Sequence, residues 1–207
     1  MMKKTFKTFI TLTTVATMLL SQPVFAKSTD YKKAMSEYKK ALSSDKFFNI
    51  SNGDFTPTRF ILVDIDQDGV PELLGDAFTH TEKEDEDQFC LQLLSYKDGK
   101  TSWDYNSYTR DIISVNTKTH TFTIENDWKG HYICAIYKVT KKGVKLIYSY
   151  EKEKGKFTVY DEKKKKYVAV SKKTIEKNTA QYLKGNKKLT IKDTYENTKS
   201  NRDKYIK

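Results

Sequence analysis

The sequence predicts an α+β fold: a leading helix, an antiparallel meander of strands around one strand-loop-strand motif, and closing helices. Three observations predict it. Tyr, Thr, Val and Ile alternate along much of residues 89–170, and the whole chain has fourteen Tyr against two Trp, three Pro and eight Gly, which suits a sheet with one half-wet face. Apolar residues recur three and four apart only near the two ends, as amphipathic helices require. Between them, short Gly-containing turns separate the apolar runs.

Met1-Met-Lys-Lys-Thr-Phe-Lys7, the apolar stretch 9–20 and the small residues up to Ala26 have the three zones of a secretory signal peptide, with cleavage expected after Ala26. The stretch is too short and too rich in threonine for a membrane span, and a retained amphipathic anchor is the alternative. Residues 27–207 are then expected to form a single secreted domain large enough for a sizeable core, with no transmembrane segment after cleavage. No cysteine follows Ala26 directly, so a lipid anchor is not indicated.

Thr29 or Asp30 can cap the first helix, whose apolar stripe is Tyr31, Ala34, Met35, Tyr38, Ala41 and Leu42. Asn52-Gly53-Asp54 and Pro57 break the chain before the next strand. That strand, 59–63, runs into Asp64-Ile65-Asp66-Gln67-Asp68-Gly69-Val70-Pro71-Glu72. A hard cation such as Ca²⁺ takes six to eight oxygens at roughly 2.3–2.6 Å, from loop positions 1, 3, 5, 7 and 9. Here those are Asp64, Asp66, Asp68, the Val70 carbonyl and Glu72, with Gly69 at the sixth position, where the chain turns sharply. A twelve-residue EF-hand would need an acid where Gly75 stands, and long helices where apolar, β-branched runs stand. The loop therefore joins two strands.

The stretch Phe60-Ile-Leu-Val-Asp-Ile-Asp-Gln-Asp-Gly-Val-Pro-Glu-Leu-Leu74 resembles the strand-loop-strand calcium motif of FG-GAP and VCBS-type repeats and of secreted Gram-positive bacterial proteins of unknown function. The resemblance covers about fifteen residues and implies an extracellular, calcium-stabilised β structure. One such loop does not make a propeller, which has several.

After the loop, Glu82-Lys-Glu-Asp-Glu-Asp87 is too densely acidic to pack and reads as an exposed loop. Strands are then expected at 89–96, 101–105, 111–115, 119–125, 131–140, 144–151, 157–161 and 167–170, the first two joined by Asp98-Gly99. A helix over 172–183 stops at Gly185, an edge strand is expected at 189–191, and a final helix at 195–206. Cys90 and Cys134 both lie in apolar strand-like runs. A disulfide and two buried thiols both fit, and zinc lacks a closely spaced ligand pair.

Charge is divided along the chain: residues 27–135 hold 13 basic and 19 acidic residues, net −6, while residues 136–207 hold 22 basic and 8 acidic, net +14. The lysine-rich half suits an anionic cell-wall polymer or membrane surface, although solvated lysines also simply keep proteins soluble. His80, His120 and His131 stand apart from any nucleophile or acid at motif spacing, and the common hydrolase and nucleotide-binding motifs are absent from the sequence. No specific nucleic-acid recognition is expected. Trp103, Tyr105, Tyr108 and Trp128 fit either a ligand platform or a core. The expectation is a secreted module with structural Ca²⁺ at an anionic bacterial surface. The rivals are a metal-dependent hydrolase acting on polyanions, and an inhibitor or toxin-like protein binding another protein.

Overall fold

The computed structural model describes residues 28–44, 48–50, 53–55, 57–77, 90–106, 112–161 and 163–207. The expected signal peptide, the acidic run 82–87, His80 and Tyr108 lie outside them. The first helix, α1 (Thr29–Leu42), starts one residue earlier than expected: the Ser28 hydroxyl caps it, accepting from the Tyr31 N–H at 3.1 Å. Asp30 in its first turn and Lys39 and Lys40 in its last complement the helix dipole. Its stripe of Ala34, Met35, Tyr38 and Leu42 is buried, as the spacing predicts.

A short hairpin not foreseen from the sequence follows, β1 (Phe48–Ile50) against β2 (Gly53–Phe55). Ile50 and Gly53 are paired, which leaves two residues between the strands, the spacing of a tight hairpin. Next come β3 (Arg59–Val63), β4 (Glu72–Ala77), β5 (Cys90–Lys97) and β6 (Lys100–Asn106), each antiparallel to the one before. Asp98 and Gly99, at φ 50° and 77°, close the last pair, a backbone matched to strand twist. The meander continues through β7 (Ile112–Asn116), β8 (Thr121–Trp128), β9 (His131–Thr140), β10 (Gly143–Glu153), β11 (Lys156–Asp161) and β12 (Lys166–Val170). Then α2 (Lys172–Leu183), β13 (Lys187–Lys188), β14 (Tyr195–Glu196) and α3 (Lys199–Tyr205) complete the described chain.

Two larger sheets result, in the orders β14-β3-β4-β5-β6 and β12-β11-β10-β9-β8-β7-β13. The α+β class, the N-terminal helix, the meander and the C-terminal helices are as the sequence predicts. The last segments differ in detail. The edge strand is 187–188 rather than 189–191, and Leu189 is buried with its N–H donating to the Ile113 carbonyl at 2.8 Å. The expected helix over 195–206 begins instead as a strand beside β3, because Tyr195 packs on Phe60 and stacks on Tyr205 with ring centres 3.6 Å apart. Tertiary contact overrides local propensity there.

Alternation along the first sheet sends Phe60, Leu73 and Leu94 toward α1 and Ile61, Val63, Leu74 and Leu93 toward the second sheet. There they meet Ile113, Val115, Phe122, Ile124 and Val139. The opposite face of β9, through Cys134 and Ile136, packs with Tyr150 and with Ile175 of α2. The order is helix, sheet, sheet, helix, so the β3–β4 connection is gripped from both sides: Tyr38 of α1 donates to the Pro71 carbonyl at 2.9 Å, and Ile65 is fully buried in the inter-sheet core.

Candidate metal centre

The loop between β3 and β4 is held by its own carboxylates. Asp64 accepts from the Asp68 and Gly69 N–H groups at 3.1 and 3.0 Å, Asp68 from the Val70 N–H at 2.9 Å, and Glu72 from the Ile65 N–H at 2.9 Å. Gly69 has φ +87°, the left-handed conformation its position in the motif demands, and Gln67 has φ 58°. These turns point side chains inward. Asp64, Asp66 and Glu72 each place a carboxylate oxygen within 4.8 Å of the other two, a group able to hold a metal ion.

Of the five positions singled out by the sequence, the structure brings these three together. Asp68 turns its second oxygen to Lys97 instead, and Val70 is buried and donates its N–H to Asp68. Asp66, its side chain 5% exposed, leaves Oδ1 buried with no hydrogen-bond partner. Burial pushes the Asp64 carboxyl above its ordinary value against its backbone hydrogen bonds, with Asp68 and Asp66 adding repulsion. Burial likewise pushes Glu72 up to about 7, although the charge of Lys97 pulls it down. A cation favours the ionised form of both.

Lys97, at the end of β5, is not singled out by the sequence. Its ammonium lies 3.0 Å from Asp66 Oδ2, 2.9 Å from Asp68 Oδ2 and 2.9 Å from Glu72 Oε1. Burial alone would lower its pKa, but the charge of Glu72 and the hydrogen bonds to Asp68, Glu72 and Asp66 carry it above the ordinary lysine range. Three loop carboxylates thus share one ammonium, and Asp64 stands beside two of them, Asp66 and Glu72, in the converging group. No local signal marks Lys97, because it stands 31 residues from Asp66 and only the pairing of β4 with β5 brings it there.

The other sequence candidates are dispersed. His131 meets Glu151 at 3.1 Å on an exposed part of β9, and His120 takes a left-handed turn with its carbonyl accepting from Val139. Trp128 is 55% exposed, with Lys129 Nζ 5.0 Å from its ring centre. Cys134 is a buried free thiol. The basic turn at 163–166 is exposed, its fold held by Asp161 accepting from the Lys163 and Lys164 N–H groups. Among the described residues no helix is long and apolar enough to cross a membrane. No protein-family model, curated protein or solved structure matches the chain.

Proposed function

We propose that the chain is a secreted calcium-binding module in which the ion completes the β3–β4 loop through Asp64, Asp66, Asp68, the Val70 carbonyl and Glu72, and in which the lysine-rich C-terminal half holds the protein at an anionic bacterial surface. The observation that carries the metal assignment is Asp66 Oδ1, buried without a partner inside a group of three converging carboxylates. A buried anionic oxygen left unpaired is costly unless a cation or donor meets it. An all-oxygen donor set of carboxylates suits a hard ion over zinc or copper. Extracellular modules bind Ca²⁺ with Kd of roughly 10⁻⁴–10⁻³ M, so such a site fills outside the cell and empties in the cytosol. In this role calcium is structural, and it completes folding after export.

Thermal unfolding of the full chain with Ca²⁺, with Mg²⁺ and with chelator tests the reading. An ion at about 100 times its Kd stabilises by about 2.7 kcal/mol, which raises Tm by roughly 5–10 °C in a chain of this size. The rise is expected with Ca²⁺ and is expected to vanish in Asp66→Ala. No response to Ca²⁺ sinks the assignment, and a response selective for Mg²⁺ transfers these acids to the hydrolase reading. Retention on anionic vesicles that salt abolishes, and that neutralising Lys163, Lys164, Lys165 and Lys166 weakens, tests the surface role.

A further inference from the structure

The turn between β5 and β6 and the turn between β9 and β10 come from different sheets and border one open cleft of about 340 Å³. Its charged lining is Lys97, Lys100, Lys141 and Lys142 against a single acid, Asp98, with Ser102 and Gly143 completing it. We infer that this cleft binds a phosphate-bearing anion, and that a divalent ion held by Asp64, Asp66 and Glu72 tightens that binding, because Lys97 serves both places.

Lysine ammonium groups bind phosphate as mobile point charges, and a volume of this order holds one small phosphorylated group rather than a large ligand. The cleft concentrates charge that the sequence scatters: Lys97 and Lys100 belong to the acidic half of the chain, Lys141 and Lys142 to the basic half. With its ammonium spent on Asp66, Asp68 and Glu72, Lys97 contributes little field to the cleft it lines. A divalent ion ligated at roughly 2.3–2.6 Å by the same carboxylates excludes that ammonium. Lys97 sits at the strand end that borders the cleft, so its released side chain turns there and adds a fourth free positive charge. By linkage, the anion tightens metal binding by the same factor. This second half rests on the metal reading proposed above, whereas the cleft does not.

The test is a ¹H–¹⁵N NMR titration of the full chain with methyl phosphate, in chelator and with Ca²⁺. Saturable shifts are expected at residues 98–102 and 141–144, with affinity about fivefold higher in Ca²⁺. Lys141→Ala/Lys142→Ala, at exposed turn positions, is expected to abolish those shifts while leaving Tm unchanged. Lys97→Met is expected to enlarge the Ca²⁺ stabilisation, because no ammonium then contends for the carboxylates, and to lose the dependence of phosphate affinity on Ca²⁺. Sedimentation with vesicles of equal parts phosphatidylglycerol and phosphatidylcholine separates the sources: binding lost in the double variant assigns a lipid headgroup, and no vesicle binding beside a saturable titration assigns a soluble phosphate. Absence of saturable shifts in both turns overturns the cleft. Equal affinity with and without Ca²⁺, while Ca²⁺ still raises Tm, overturns the coupling alone; no Ca²⁺ effect on Tm overturns the coupling together with the metal reading.

Discussion

Gly69 shows how one residue serves a site to which it offers no side chain. A Cβ added there meets no atom within 4 Å, so the objection to a side chain is its φ of +87° and not space. Gly69→Ala is therefore expected to destabilise the protein by about 1–2 kcal/mol, read as a lowered urea midpoint, and to weaken the Ca²⁺ response because the Asp64 carboxylate is anchored on the Gly69 N–H. A second residue is protected by its surroundings. Burial and the charge of Glu125 push the Cys134 thiol up to about 12, and the residue is fully buried. The thiolate is the reactive form. In a Cys90→Ser background, Cys134 is expected to resist a thiol reagent at about pH 8 until denaturant is added, and rapid labelling of the native protein would refute its placement in the core.

At the scale of elements, polar side chains tie segments that the hydrophobic pattern alone leaves loose. Asn116, 3% exposed on β7, donates to the Tyr182 and Lys184 carbonyls at 3.0 Å each, and so satisfies the end of α2. Asn116→Ala strands those carbonyls and is expected to cost about 1–3 kcal/mol, with hydrogen exchange accelerated in the last turn of α2 before other elements. The short 3₁₀ turn Ile191–Asp193 depends on Asp193, which accepts from the Thr190 N–H at 2.9 Å and hydroxyl at 2.8 Å and from Lys187 Nζ at 2.8 Å. Burial raises its pKa, but the bonds from Lys187 and Thr190 outweigh that and hold it below the ordinary 3.8. Because the folded value is the lower one, its contribution is present above pH 3.8 and is lost as pH falls through the folded value. Asp193→Asn is expected to flatten that acid limb in stability measured against pH; an unchanged limb would show that the carboxylate carries none of it.

For the whole molecule, the decisive feature is a core shared by two sheets. Phe122 is fully buried, stacks on Tyr137 with ring centres 5.0 Å apart, and packs in the same cluster as Leu74 and Leu93 of the other sheet. Phe122→Ala is expected to cost about 3–5 kcal/mol. Near- and far-ultraviolet circular dichroism are expected to trace one transition in the parent and the variant, since neither sheet keeps its inner face dry alone. Separate transitions would mean that the sheets fold as independent units.

How much was legible follows from the range of each interaction. The α1 stripe, the Asp98-Gly99 hairpin and the Asp64-to-Glu72 loop depend on residues within a few positions of one another, so spacing and turn chemistry determined them in the sequence alone. The helix expected over 195–206 shows the limit, since its first residues joined β3 through Tyr195 and Phe60. Lys97 shows it more sharply. Nothing near it in the chain marks it as the partner of Asp66, Asp68 and Glu72, and nothing near Lys141 and Lys142 marks them as its neighbours across a cleft. The carboxylates of the loop were thus written locally. Which cation side chain contends for them was decided only in the tertiary structure, because strand register and the packing of two sheets bring together charges that are remote along the chain.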